Sequence, residues 1–188
     1  MGNLALIYKL ELDAFQSMPN NVHMTNTVTS QIVNFLLEIG LDVQIASFKD
    51  DGFLPGIKLE RGAVLIDEAK LKYPGDLLHE AGHLAVKSPI ERLETTLNAG
   101  SDGAEEMMSI AWSYAAAVHL GIPLEVLFHE HGYKGGGDSL IETFTQGRGF
   151  GVPMLQWLGM TADAKRAEGL GIAPFPHMIQ WLSNGRPV

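Results

Sequence analysis

The chain has 188 residues, 46 per cent of them hydrophobic, which is enough for one compact domain with its own core and argues against disorder. Thirteen basic residues against 22 acidic ones give a net charge of −9, and the basic residues are scattered, which argues against a nucleic-acid surface. Cysteine is absent, so no disulfide framework is possible and any metal must be held by nitrogen and oxygen.

No apolar run reaches the length of a membrane span, no signal-peptide pattern opens the chain, and no Asn-x-Ser/Thr site occurs. The expectation is a cytoplasmic protein with neither a membrane nor a nucleic-acid partner. Neither an internal repeat nor a low-complexity block interrupts the chain, so the whole of 1–188 is read as a single domain.

In chain order, the first 24 residues mix apolar runs with turn residues and give no clear element. Val28, Ile32, Phe35, Leu36 and Ile39 recur at helical spacing and predict a helix over 27–39, stopped by Gly40. Leu41 to Ser47 reads as a strand. Gly56-Ile57-Lys58-Leu59 and Ala63-Val64-Leu65-Ile66-Asp67, separated by Arg61-Gly62, read as a hairpin. A helix is expected over 76–87, ended by Ser88-Pro89, followed by a polar stretch from Glu91 to Gly103. A second strong helix is expected over about 103–120, stopped by Gly121, with shorter ones near 123–129, 138–146 and 152–159. The remaining tail shows no readable pattern. A helix and a small hairpin ahead of further helices indicate an α+β fold.

The chemistry is concentrated in His79-Glu80-Ala81-Gly82-His83, an H-E-x-x-H sequence on an expected helix. Residues four apart lie on one helical face, so both imidazoles can meet one tetrahedral zinc ion. Glu80 follows the first histidine and flanks the metal position. There it can take a proton from a zinc-bound water and pass it to a leaving amine. Leu77, Leu78, Ala81, Leu84 and Ala85 supply a face to bury. Gly82 costs about 1 kcal/mol of helix propensity against alanine. It either marks a close approach by another backbone or a substrate, or is simply tolerated in a well-packed helix. The competing reading of the whole motif is a pair of ordinary surface or hydrogen-bonded histidines.

A catalytic zinc keeps three protein ligands, and Glu105 and Glu106 at the start of the second strong helix are the candidates for the third. Asp102 followed by Glu105 resembles a capping box, which would occupy Glu105 and leave Glu106 free; Glu106 is therefore preferred and Glu105 kept as the alternative. Both acids also suit a helix N-terminus with no metal at all.

H-E-A-G-H with a glutamate some 23 residues on resembles the gluzincin arrangement of zinc metallopeptidases, and more narrowly the ImmA/IrrE-like metallopeptidase domain. In that family a downstream helix opens with Glu and carries Ala and an aromatic residue; here the helix runs from Glu105 and Glu106 through Ala111 and Trp112 to Tyr114 and Ala115. Ser109 and Ile110 stand where the family has Ala and Asn. The resemblance covers roughly 27–130 and leaves the C-terminal 60 residues outside. It implies a zincin-like fold and cleavage of a peptide or protein substrate.

Phe128 to Gly137 contains His129, His131 and Tyr133 in a glycine-rich setting. A zinc peptidase needs a donor for the developing oxyanion, and His131 or Tyr133 can supply it from this loop. The alternative is an exposed turn after a helix. Gly147-Arg148-Gly149 follows a polar helix rather than a strand and is not a phosphate loop. Trp112, Tyr114, Trp157 and Trp181 read as core or interface residues, and His23, His119 and His177 as structural ones.

The expectation is thus a zinc-dependent peptide hydrolase with His79, His83 and Glu106 on the metal, Glu80 as general base, and His131 or Tyr133 as oxyanion donor. Its rival is a zinc-binding sensor or interaction protein of the same fold that cleaves nothing.

Overall fold

The side chain of Asn26 accepts hydrogen bonds from the Val28 and Thr29 N–H groups and so caps the first helix, α1 (Thr27–Glu38). The computed structural model describes residues 26–49, 54–96 and 102–185; His23 and the unread opening residues lie outside these. α1 buries Ile32, Val33, Phe35 and Leu36, the face marked by its helical spacing, and gives way at Gly40 (φ 91°) to β1 (Asp42–Ile45).

The expected hairpin forms as β2 (Ile57–Glu60) and β3 (Ala63–Ile66), antiparallel from Ile57↔Ile66 to Glu60↔Ala63. Arg61 and Gly62 both take positive φ, 49° and 82°, the backbone of a two-residue turn whose twist matches that of the strands. β1 joins the other edge of β3 in parallel, giving the order β1-β3-β2. β3, covered on both sides, has Ala63, Val64 and Ile66 all buried.

α2 (Gly75–Ala85) carries the H-E-x-x-H sequence. Its Leu77, Leu78, Ala81, Leu84 and Ala85 are fully buried, each leucine contributing about 1.5–3 kcal/mol of burial. The main partner of this face is α4 (Gly103–Leu120), capped by Asp102 through the Ala104 N–H and ended by Gly121 at φ 66°. At Gly82 the two helices approach closely. A Cβ there would lie 2.9 Å from the Ser109 carbonyl oxygen and 3.2 Å from Ser113 Oγ. The glycine therefore serves the approach of another backbone, and Ser113 Oγ donates across the same contact to the Leu78 carbonyl.

Between them lies α3 (Pro89–Glu94), a helix in what was read as a polar stretch. Ser88 and Glu91 form a reciprocal capping box with Pro89 in the first turn. From α3, half-buried Arg92 donates to the carbonyls of Leu84, Lys87 and Ser183, tying the end of α2 to the C-terminal tail. The expected short helices appear as α5 (Leu124–Leu127), α6 (Gly137–Thr145) and α7 (Val152–Trp157), with a 3-10 turn at Tyr133–Gly135. α8 (Ala164–Leu170) was not anticipated.

Trp112 is fully buried and donates its indole N–H to the Trp181 carbonyl, while Trp157 is half exposed. His119 packs against Phe35 and Trp181. The architecture is thus mixed α+β, eight α-helices and a three-stranded sheet among the described residues. No described helix is long and apolar enough to cross a membrane.

Candidate metal centre

Burying the leucine face of α2 against α4 leaves a polar stripe along the rest of the helix. Asp76, His79, Glu80 and His83 follow at helical spacing, and Lys87 continues the line just past the helix end. The members of this stripe meet residues from other elements.

His79 and His83 turn their Nε2 atoms together, 3.2 Å apart, with the rings edge to face. Glu106, from the first turn of α4, closes the group: Oε1 lies 3.5 Å from His79 Nε2 and Oε2 3.3 Å from His83 Nε2. Donor atoms of His79, Glu80 and His83 also fall within 4.8 Å of one another, as in a site able to hold a metal ion. The separations among His79, His83 and Glu106 are the tighter set. A tetrahedral ion with bonds of 2.0–2.1 Å has ligand atoms about 3.3–3.4 Å apart, and the two histidine nitrogens lie near that spacing, each with one Glu106 oxygen at a similar distance. Two neutral imidazoles and a carboxylate are also the donor chemistry that a divalent cation of this kind takes.

Glu105 does something else. Its Oε1 accepts from His83 Nδ1 at 3.0 Å, and its Oε2 accepts from the Lys87 ammonium. With Nδ1–H held by Glu105, Nε2 is the His83 nitrogen that faces His79 and Glu106, and it offers a lone pair there once its proton is lost. The expected capping box between Asp102 and Glu105 does not form: Asp102 caps through Ala104, and Glu105 is drawn away by buried His83 and half-buried Lys87, which offer it stronger, charge-assisted bonds. Glu105 is occupied, as the sequence reading supposed, but by a different partner. His79 Nδ1, by contrast, is buried without a partner among the described residues.

The electrostatics follow from this packing. Burial works against a charged His83, but hydrogen bonds to Glu105 and Glu106, with the charge of Glu80, outweigh it and raise its pKa to about 9. Burial and the neighbouring His83 charge push His79 well below the usual histidine range. At neutral pH the metal-free pair therefore holds a proton on His83 and none on His79. Glu106 is held low, chiefly by its bond to His83. Glu80 is pushed up to about 7 by burial, with Asp76 and Glu106 adding to the shift and His83 opposing it.

The wall beside Glu80 comes from the segment after α5. A Cβ on Gly75 would meet the Val126 carbonyl oxygen at 2.1 Å, so α5 lies directly on the start of α2 and brings the segment after it alongside. Here His129, not singled out from sequence, places Nε2 2.9 Å from Asp76 Oδ1 and stacks on Tyr73 with centroids 4.0 Å apart. Tyr133 sets its ring edge to face with His79 at 5.5 Å, and its hydroxyl is buried without a partner among the described residues. Burial and the charges of Asp76, Glu106 and Glu80 raise its pKa. Tyr133 takes φ 50° and Lys134 φ 55°, left-handed conformations that cost non-glycine residues on the order of 1–2 kcal/mol each. His131 is at the surface, its side chain 60 per cent exposed, beside Glu130 and Tyr73 rather than in the histidine pair.

Of the residues named from sequence, His79, Glu80, His83 and Glu106 are brought together, Tyr133 joins them by its ring, and Glu105 stands behind His83. Asp76, Lys87 and His129 were missed. Asp76 and Lys87 were available as members of the α2 stripe, whereas no local signal distinguishes an inward His129 from an outward His131. Compared with protein-family models, curated proteins and solved structures, the chain matches none.

Proposed function

We propose that this chain is a zinc-dependent peptide hydrolase built on a zincin-like centre, with His79, His83 and Glu106 holding the metal. The observation that carries the reading is the pair of His79 and His83 Nε2 atoms 3.2 Å apart, with one Glu106 oxygen 3.5 Å from the first and the other 3.3 Å from the second, flanked by the half-buried Glu80 carboxyl.

When bound, zinc supplies a Lewis acid that polarises the scissile carbonyl and makes a coordinated water acidic at neutral pH. The chain's own residues account for the proton movements. Glu80, whose carboxyl burial pushes up to about 7 in the metal-free protein, is a carboxyl beside the histidine pair suited to taking and returning a proton. Its carboxylate accepts a proton from the attacking water, and the same oxygen delivers it to the departing amine nitrogen. Tyr133 offers a hydroxyl with no competing partner among the described residues, suited to donate to the oxygen that gains charge as the carbonyl is attacked. Glu105 keeps His83 in one tautomer throughout.

The test is metal content by elemental mass spectrometry on wild type and His83→Ala, followed by turnover of a fluorogenic peptide mixture by wild type and Glu80→Gln. One zinc per chain, lost in His83→Ala, with Glu80→Gln retaining zinc and losing turnover, is the expected result. Absence of stoichiometric metal after incubation with zinc removes the reading. Full activity in Glu80→Gln removes the mechanism.

A further inference from the structure

We propose that Lys87 is a positioning residue of this metal centre, and that by pinning Glu105 it decides which of two adjacent glutamates is the ligand. The inference rests on the metal-centre reading above and adds to it a residue with no contact to the metal position.

Glu105 and Glu106 are neighbours in the first turn of α4 and have opposite tasks. What separates them is the partner of each oxygen. Both Glu105 oxygens are engaged, Oε1 by His83 Nδ1 at 3.0 Å and Oε2 by the Lys87 ammonium. Neither remains to turn toward the Nε2 side of the histidines. Both Glu106 oxygens point to that side.

Lys87 is not an ordinary surface partner. Its side chain is 17 per cent exposed and that of Glu105 14 per cent, so the pair is largely shielded from the water that makes exposed ion pairs weak. The backbone at Lys87 is itself anchored, because its carbonyl accepts from Arg92 Nη2 at 3.0 Å while Arg92 Nε donates to the Leu84 carbonyl at 2.9 Å. The ammonium thus projects from a fixed point one helical turn beyond His83. Remove it, and Glu105 loses the bond that fixes its second oxygen and is left half-tethered beside the like charge of Glu106. The Nδ1 hydrogen bond that orients His83 then loosens, and with it the direction of the Nε2 lone pair.

The experiment measures zinc affinity by competition with a chromophoric chelator for wild type, Lys87→Met, Lys87→Arg and Glu105→Gln. It is accompanied by the thermal midpoint of each metal-free protein. Lys87→Met, which keeps the length of the stem and removes the charge, is expected to weaken zinc binding by about 10–100-fold, the usual effect of losing an outer-shell partner. It should still saturate at the wild-type stoichiometry, with a metal-free midpoint lowered only by the loss of one shielded ion pair. Lys87→Arg should restore most of the affinity.

Wild-type affinity in Lys87→Met overturns the proposal and leaves the metal centre standing. A fall in metal-free midpoint with unchanged affinity also overturns it, because Lys87 is then a structural residue only. If Lys87→Met fails to fold, Glu105→Gln decides in its place: weakened zinc supports the relay, and unaltered affinity ends it. If wild type binds no zinc, the metal-centre reading itself fails and the proposal with it.

Discussion

Replacing Gly82 by alanine tests the contact on which the site is built. A Cβ at that position would stand 2.9 Å from the Ser109 carbonyl oxygen and 3.2 Å from both Ser109 Cα and Ser113 Oγ. The two Ser109 atoms belong to the α4 backbone, so no side-chain rotation relieves those contacts, and the helices must separate by about half an ångström to reach ordinary contact distance. Overpacking of this kind costs about 1–3 kcal/mol. Alanine returns about 1 kcal/mol of helix propensity. The net expectation is a loss of up to about 2 kcal/mol, a fall in thermal midpoint of up to about 8 °C for a domain of this size.

The displacement also reaches the site. His83 adjoins Gly82 on α2, and Glu106 lies one turn before Ser109 on α4, so spreading the helices draws the Glu106 oxygens from the 3.3 and 3.5 Å positions they hold. Zinc affinity should therefore fall along with stability. Thermal unfolding of the metal-free protein and a chelator competition measure the two effects. A rise in midpoint with unaltered zinc affinity would show that propensity alone acts at this position, and would refute the close approach of α2 and α4.

Two further expectations concern the histidines and Tyr133. The folded pKa of His83, about 9, lies above its ordinary value near 6.5, so in the metal-free protein its charge contributes stability that is fully present below about pH 6.5 and lost as pH rises through about 9. Zinc needs the same nitrogen unprotonated, so zinc affinity should run the opposite way, rising by about tenfold per pH unit and levelling above about pH 9; a flat profile between those limits contradicts the proton assignment. Tyr133→Phe removes a buried hydroxyl that has no partner among the described residues, so metal-free stability should hold or rise, while peptide turnover falls by a factor on the order of 10²–10³ if the hydroxyl serves the oxyanion. Unchanged turnover would exclude that role, and a large loss of stability would mean that the hydroxyl has a partner after all.

Much of the local structure was legible before any coordinates. The spacing of Leu77, Leu78, Ala81, Leu84 and Ala85 marks a buried helical face, and the same 3.6-residue period places His79 and His83 together on the other. Arg61-Gly62 announced the turn of the hairpin, and Gly121 the end of α4, because each of these depends on backbone freedom within a few residues. Ser88 and Glu91 carried an equally local signal that went unread. The parallel pairing of β1 with β3 had no such marker, since it joins strands separated by the whole of β2.

What the sequence by itself determined is therefore the helix that carries the histidines, the side on which they stand, and the glutamate between them. Tertiary structure decided the rest of the centre. The division of labour between Glu105 and Glu106 hangs on Lys87, 18 residues earlier in the chain, and the choice of His129 over His131 hangs on Asp76, 53 residues earlier. Those partners meet only because α4 and the segment after α5 pack onto α2. Periodicity describes a single element and its two faces; which side chain of another element arrives at a face is set by the packing of the whole core.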